Sequence, residues 1–339
     1  KKRFGPRGVI HSFADGRITD TGPLTKKRME TIDEEVNVKA IDFMERAKKA
    51  DKPFFLWWNS TRMHIFTHLK KESEGKTGLG IYADGMVEHD GHVGLLLAKL
   101  KELGLEENTI IMYSTDNGAE TFTWPDGGTT MFRGEKNTQW EGGYRVPTII
   151  KWPGVIKPGT VVNDMAAHED MLPTLLAAAG DTGVKDRLLK GATVGGRSYK
   201  VHLDGYDLGP ALRGEAKEWP RREFIYWTDD GSVAALRYDN WKITFLEQKA
   251  EGLRVWQEPF TPLRAPVLAN LRMDPFERAR HEDAMGYQRW YMERMFLIAP
   301  AGAFVGQWLQ SFREFPPRQK PGSFNLDRVM EAVSKPVQN

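Results

Sequence analysis

The chain has 339 residues, of which 40% are hydrophobic and 28% are charged, so enough apolar surface is present to form a core and a disordered chain is excluded. The formal net charge of +2 provides no broad positive field for nucleic acid or an anionic membrane. No cysteine occurs, which excludes disulfides, cysteine-ligated zinc and thiol catalysis within the chain. No apolar run reaches about 18 residues, so no membrane span is predicted.

The first half of the sequence alternates helix and strand patterns, as parallel α/β proteins do. A helix capped by Thr25 is predicted over 26–50, because its apolar residues are spaced three and four apart. The apolar run 54–58 predicts a buried strand, 79–103 a second helix and 109–114 a second buried strand. Strands that are apolar on both faces are typical of a covered, largely parallel sheet.

The pattern changes in the second half of the sequence. A strand is predicted over 146–152 and a helix over 171–179, and beyond about residue 205 short alternating runs predict an antiparallel sheet. These runs are 223–228, 233–238 and 241–246, followed by a helix over 285–312 and a proline-rich tail containing Pro316, Pro317 and Pro321. We therefore predict an α/β domain over 1–204 and a C-terminal subdomain with short antiparallel strands and a terminal helix over 205–339.

Polar residues that can bind ligands follow both predicted buried strands. Asp116 and Asn117 come directly after the second strand, where ligands bind in open α/β sheets, and their oxygens suit Ca²⁺ or Mg²⁺. The same residue types also form ordinary turns. His64 follows the first strand and could donate a proton, bind an anion or simply hydrogen-bond the backbone of its own loop. Lys136 could act as a point charge on an oxyanion, although alone it is a weak signal.

Three motifs in their order along the chain resemble those of the sulfatases of the alkaline-phosphatase superfamily. They are Pro53-Phe54-Phe55-Leu56-Trp57 with His64, Ser114-Thr115-Asp116-Asn117-Gly118, and Lys136 with Glu141-Gly142-Gly143 and Arg145-Val146-Pro147. Weaker matches are His168-Glu169-Asp170-Met171-Leu172-Pro173-Thr174 and Asn270-Leu271-Arg272-Met273-Asp274-Pro275-Phe276-Glu277. From about Gly16 to Arg328 the chain thus resembles a bacterial arylsulfatase.

The resemblance implies an alkaline-phosphatase-like α/β sandwich with a largely parallel central sheet, and the hydrolysis of sulfuric esters. It implies that Asp116 and Asn117 bind the divalent metal, Ca²⁺ or Mg²⁺. It further implies that Lys136 contacts the sulfate and that His64 hydrogen-bonds the leaving side of the ester, so these two are the predicted catalytic and substrate-binding residues. The substrate would be a small-molecule or glycan sulfate ester. The usual location of the family implies that the protein is periplasmic or secreted.

The chain also departs from the sulfatase pattern. Sulfatases of this kind use a formylglycine made from Cys or Ser in a Cys/Ser-x-Pro-x-Arg motif, and no such motif occurs here. Residues 260–264 have the Pro and Arg spacing, but Phe260 cannot form the aldehyde. The first metal carboxylates are absent too, and Lys1 to Gly16 contain no initiator methionine or targeting segment. We therefore expect the nucleophile in an N-terminal part of a longer parent protein, and this chain alone to be inactive.

Two other functions fit the same residues. A phosphonate or phosphodiester hydrolase of the superfamily would use a similar metal site on a phosphoryl group, and a non-catalytic fragment would keep the fold as a binding module. Trp124 and Trp140, in the long loop after Asp116, are candidates for lining an aryl pocket. The sequence does not indicate an oligomeric state.

Overall fold

The computed structural model describes residues 7–124, 126–280 and 285–318. These residues form two compact units. The first comprises the chain up to residue 111 together with 120–129, and the second comprises 112–119 and the chain from 130 onwards. The predicted domain boundary at residue 205 stays a prediction, and Pro321 and the rest of 319–339 lie outside the described residues.

The first unit is built on two long helices. Its elements are β1 (Gly8–Ser12), β2 (Ile18–Pro23), α1 (Lys26–Met29), α2 (Ile32–Lys49), α3 (Ile81–Glu102) and a 3₁₀ turn at Glu106–Asn108. The helix predicted over 26–50 is confirmed as α1 and α2, and the Thr25 hydroxyl accepts a hydrogen bond from the Arg28 amide at 3.2 Å, as an N-cap does. Helix α3 confirms the helix predicted over 79–103.

The prediction of a buried strand over 54–58 is wrong for this structure. The segment belongs to none of the sheets among the described residues, and Phe55 and Trp57 are exposed. The opposite face is packed, since the Phe54 ring meets Phe43 of α2 edge-on at 6.0 Å and the Trp58 ring stacks on His89 of α3 at 5.7 Å. The segment thus has the period of an extended chain, with one covered face, but lacks a hydrogen-bonded neighbour strand.

The second unit carries the remaining elements. They are β3 (Ile111–Ser114), α4 (Glu141–Tyr144), β4 (Thr148–Lys151), α5 (Met171–Ala178), α6 (Val184–Lys190), β5 (Ala192–Val194), β6 (Arg197–Tyr199), α7 (Gly209–Leu212), β7 (Glu223–Trp227), β8 (Val233–Tyr238), β9 (Trp241–Glu247), β10 (Thr261–Asn270), α8 (Tyr287–Met292), α9 (Ile298–Trp308) and α10 (Ser311–Glu314). Short 3₁₀ turns occupy His168–Asp170, Gly252–Trp256 and Met295–Leu297.

The predicted antiparallel sheet is confirmed, with strand order β10-β9-β8-β7. Its register aligns Ile225, Leu236 and Ile243 on one face, where they form a buried core with Leu268 and Ala301 of α9. Alternation along β9 places Lys242 and Thr244, both buried, on the opposite face. One face of this sheet is therefore an apolar core and the other carries buried polar side chains.

Two further expectations are changed by the structure. The helix predicted over 285–312 is divided into α8, α9 and α10, and Pro300 lies in the first turn of α9, where proline is tolerated because that amide has no partner within the helix. Strands β3 and β4 confirm two predicted strands, but β3 is half-buried and, among the described residues, pairs with β4 in a two-stranded sheet. The largely parallel central sheet stays a prediction. No helix in the described ranges has the length and apolar character needed to cross a membrane.

Consecutive arginines in the second unit form one buried and one exposed ion pair. Arg221 binds both carboxylate oxygens of Asp170, at 2.6 and 2.7 Å, and Asp170 is 0% exposed. Arg222 binds Asp239 in the same two-point manner, but both side chains are largely in solvent. The chain thus provides a matched comparison of the two environments.

We expect Asp170→Asn to lower the free energy of unfolding by roughly 3 kcal/mol, because the buried Arg221 guanidinium loses its fully buried carboxylate and keeps only the partly exposed Glu169, 2.6 Å away. The control is Asp239→Asn, which should change stability only slightly because water screens and solvates the exposed pair. Urea unfolding followed by circular dichroism measures both. Equal, small losses in the two variants would contradict the importance given to burial.

Candidate active site

The predicted metal ligands lie where the sequence placed them, directly after β3. Asp116 is exposed and Asn117 is half-buried. The Asn117 side-chain nitrogen donates a hydrogen bond to the Gly118 carbonyl at 2.8 Å. This bond orients the side chain and leaves the Asn117 Oδ1 outside that hydrogen bond. Asp116 and Asn117 therefore present two hard oxygens at the end of a strand.

The turn that carries these residues is packed closely against the segment that follows Lys136. The Gly118 amide donates to the Gly143 carbonyl at 3.0 Å, and the Lys136 amide donates to the Ala119 carbonyl at 3.0 Å. A Cβ on Gly118 would lie 1.8 Å from the Gly142 carbonyl oxygen, so only glycine permits this approach. Two backbone hydrogen bonds thus bring the backbone of Lys136 to the turn of Asp116 and Asn117.

A buried ionic network anchors the Glu141-Gly142-Gly143 motif. The Glu141 carboxylate is 1% exposed and accepts hydrogen bonds from Tyr226 at 2.5 Å and from Lys242 at 3.1 Å. Lys242, 0% exposed, also binds Glu277 at 2.9 Å, and the Glu277 carboxylate accepts the Glu141 backbone amide at 2.7 Å. The motif is therefore fixed through both its side chain and its backbone.

Neighbouring charges shift the pKa values of the two buried glutamates in this network. Burial alone would raise the pKa of Glu141, but Lys242, Tyr226 and the nearby arginines outweigh it and hold that pKa at about 2. Burial is the largest cause of the raised pKa of Glu277, and the negative charge of Glu141 adds to it. Glu141 is therefore ionised at neutral pH and forms an ion pair with Lys242.

Lys136 is half-buried on the turn that precedes this motif. Its ammonium lies 5.8 Å from the centre of the Trp256 ring. The suggestion that Trp140 lines an aryl pocket is wrong, because Trp140 is 5% exposed and its ring is covered by the Arg133 guanidinium at 3.6 Å. Trp124 is half-buried and donates from its indole nitrogen to the Met63 carbonyl at 2.9 Å, and its suggested role stays a prediction.

His64 lies in the first unit, on a loop that is anchored by buried charged side chains. Its ring is exposed, and its Nδ1 lies 3.0 Å from the Ile65 carbonyl. Asp33 of α2 accepts from the Ser60 hydroxyl at 2.8 Å and the Thr61 amide at 2.9 Å, so helix α2 fixes the start of the loop.

The same loop is fixed a second time by Arg62. Its guanidinium is fully buried, lies 3.6 Å from the Asp33 carboxylate and donates to Glu88 of α3 at 2.6 Å. This cluster was not predicted from the sequence. A charged residue inside the apolar periodicity of each helix, Asp33 in α2 and Glu88 in α3, is the signal that would have indicated it.

Asp116 and Asn117 suit a divalent cation by chemistry but are too few to complete a site. Ca²⁺ takes six to eight oxygen ligands and Mg²⁺ six, whereas this turn provides an aspartate and an asparagine. Among the residues that the structure describes, no cluster of three or more His, Asp or Glu side chains could hold a metal ion. The donor set therefore fits part of a Ca²⁺ or Mg²⁺ site.

The sequence profile of the sulfatase family matches residues 9–181, slightly more than half of the chain. The chain belongs to the sulfatase family. Human arylsulfatase A is 32% identical over 250 residues, which cover 70% of this chain and 46% of arylsulfatase A. The N-acetylgalactosamine-6-sulfatase of Canis lupus familiaris is 30% identical over 283 residues, which cover 78% of this chain and 51% of that enzyme.

A solved structure supports the same family. The PsFucS1 sulfatase from Pseudoalteromonas sp. superposes with a TM-score of 0.78 at 28% identity, over 93% of this chain and 60% of that one. The chain thus spans about half the length of these two curated sulfatases. The matches agree with the alkaline-phosphatase-like α/β class expected from the motifs.

We expect Gly118→Ala to lower the free energy of unfolding by about 1–3 kcal/mol, because the added methyl group overlaps the Gly142 carbonyl. Gly302→Ala is the control. That glycine is exposed in α9 with open space at its Cβ position, so alanine should leave stability unchanged or raise it by up to about 1 kcal/mol. Thermal and urea unfolding measure both, and a harmless Gly118→Ala would show that the two segments are not closely packed.

Proposed function

We propose that the longer protein represented by this chain hydrolyses sulfuric esters, and that this chain supplies part of the active site. Membership of the sulfatase family supports the reaction class. The observation that carries the assignment is the pair of backbone hydrogen bonds, Gly118 to Gly143 and Lys136 to Ala119, that joins the Asp116 turn to the Lys136 segment. A metal-ligand turn and a cationic side chain are the parts needed to bind a sulfate group.

Asp116 and Asn117 would hold Ca²⁺ or Mg²⁺ together with ligands from outside the described residues. When bound, the metal would neutralise charge on the sulfate oxygens and orient the group. Lys136 would place its ammonium against a sulfonate oxygen, where charge is present in the substrate and in the transition state. Its flexible stem and compact charge suit a tetrahedral oxyanion.

His64 would hydrogen-bond the bridging oxygen of the ester and assist departure of the alcohol or phenol. An imidazole N–H can donate a hydrogen bond or a proton to a leaving oxygen. We place the nucleophile, a formylglycine, in a segment of the longer protein that this chain does not contain. No Cys and no Ser-x-Pro-x-Arg motif occurs between Lys1 and Asn339 to provide it.

In the longer protein, we expect Lys136→Ala to lower kcat/KM for a sulfate ester by about 10²-fold or more, since one preorganised charge on the reacting group is lost. The thermal midpoint should change little. Lys157→Ala removes an exposed lysine of the same unit and should leave both quantities unchanged. A parallel loss of activity and thermal midpoint in Lys136→Ala would assign Lys136 a structural role instead.

The chain 1–339 on its own, supplied with Ca²⁺ or Mg²⁺, should hydrolyse neither an aryl sulfate nor a phosphodiester, because it contains no formylglycine precursor. Release of 4-nitrophenol from the two esters is the measurement. Metal-dependent turnover by this chain would mean that another of its residues is the nucleophile. In the longer protein, faster turnover of the phosphodiester than of the sulfate would favour the phosphoryl-transfer alternative.

A further inference from the structure

Trp256 is exposed beside the proposed sulfate-binding lysine. All eleven tryptophans lie in the described ranges, and two of them are exposed. They are Trp57 in the first unit and Trp256, which has 43% of its surface in solvent. The Trp256 ring centre is 5.8 Å from the Lys136 ammonium. A large indole held partly in water beside Lys136 keeps apolar ring surface that a ligand could cover.

The turn that presents Trp256 is fixed on both sides of Lys136. The Gly252 amide donates to the Glu135 carboxylate at 2.9 Å, and the Asn137 side chain donates to the Val255 carbonyl at 2.8 Å. Val255 is 1% exposed and anchors the turn in the interior. Trp256 is therefore held in a fixed relation to Lys136 rather than carried on a loose loop.

The turn that carries Trp256 exposes its apolar side chains on one side. Leu253 and Trp256 are three residues apart in a 3₁₀ turn, so their side chains lie on the same side, and Leu253 is also exposed. The charged pair Arg254 and Glu258, 3.6 Å apart, lies on the same short segment. An exposed apolar surface with hydrogen-bonding groups near it suits a sugar ring, because a sugar ring has an apolar face of C–H groups and hydroxyl groups around its edge.

Attraction between Lys136 and Trp256 does not by itself explain the arrangement. The separation of 5.8 Å is near the outer limit of cation–π contact, where the attraction is weak. A packing role would place the ring in the interior, as it does for Trp140 beneath Arg133. A cation 5.8 Å from the centre of a partly exposed ring instead matches a ligand with an anionic group on an apolar ring.

We propose that Trp256 is the stacking platform for the sugar ring of a glycan sulfate whose sulfate group is bound at Lys136. The inference rests on the proposed function and makes it more specific, because it assigns the substrate class to sulfated carbohydrates. Stacking is a contact made at a distance from the bond that is cleaved, so it should act mainly on binding.

The test is a set of dissociation constants measured by ligand-observed NMR on this chain and its variants. The probes are galactose 6-sulfate, N-acetylglucosamine 6-sulfate, phenyl sulfate and methyl sulfate, the last of which has the charge without a ring. The variants are Trp256→Ala, Trp256→Phe and Lys136→Ala, with Trp57→Ala as the matched exposed-tryptophan control. Circular dichroism verifies that each variant is folded.

We expect Trp256→Ala to weaken binding of at least one sugar sulfate by about 3- to 10-fold while methyl sulfate is unaffected. Trp256→Phe should restore most of the affinity, and Trp57→Ala should change nothing. Lys136→Ala should weaken every sulfated probe.

Three results would contradict the proposed role of Trp256. They are unchanged binding of the sugar sulfates by Trp256→Ala, an equal weakening of methyl sulfate binding, or a loss of affinity confined to phenyl sulfate. Unchanged methyl sulfate binding in Lys136→Ala would instead contradict the proposed role of Lys136. A wild-type chain that binds none of the probes would overturn both.

Discussion

The second unit depends on one buried lysine between two glutamates. Lys242 is fully enclosed on the polar face of the antiparallel sheet, and its charge stabilises Glu141, which would otherwise be costly to bury. Glu277 in turn binds the Glu141 backbone amide. Because the two glycines that follow Glu141 lie against Gly118, this cluster determines where the Asp116 turn is placed. The position of the candidate metal ligands is thus set by charges that would not touch the substrate.

The first unit uses the same physical device for a different loop. Arg62 is buried between Asp33 and Glu88, which belong to the two long helices, and the loop that ends in His64 starts from this cluster. In both units one buried cation lies between two carboxylates, so removing the cation, Arg62 or Lys242, leaves two carboxylates without their shared counter-charge in a low-dielectric interior. Fixed loops of this kind suit a site in which small displacements of polar groups are costly to catalysis.

The chemistry available to this chain is that of binding and orientation. Its candidate site residues are two oxygen ligands, one cationic side chain and one imidazole, and it contains neither a cysteine nor the Ser-x-Pro-x-Arg motif from which a sulfatase nucleophile would be made. This division matches the comparisons, in which the chain covers about half of each curated sulfatase named above. In the proposed binding mode, Trp256 would add a surface for the remainder of the substrate, on a turn fixed to the segment of Lys136.

The elements and motifs that depend on neighbouring residues could be predicted from the sequence. Periodicity indicated the long helices and the hairpins β7 to β9, because their contacts are local, and Asp116, Asn117 and Lys136 stand out within short motifs. Only the tertiary structure shows Lys242 and Glu277, which are 101 and 136 residues from Glu141, and Trp256, whose turn meets a segment about 118 residues earlier. It also shows that the apolar run 54–58 is not a buried strand. The physical reason is that burial and ion pairing depend on which distant segments meet, and a strand requires a neighbour that its own residues do not specify.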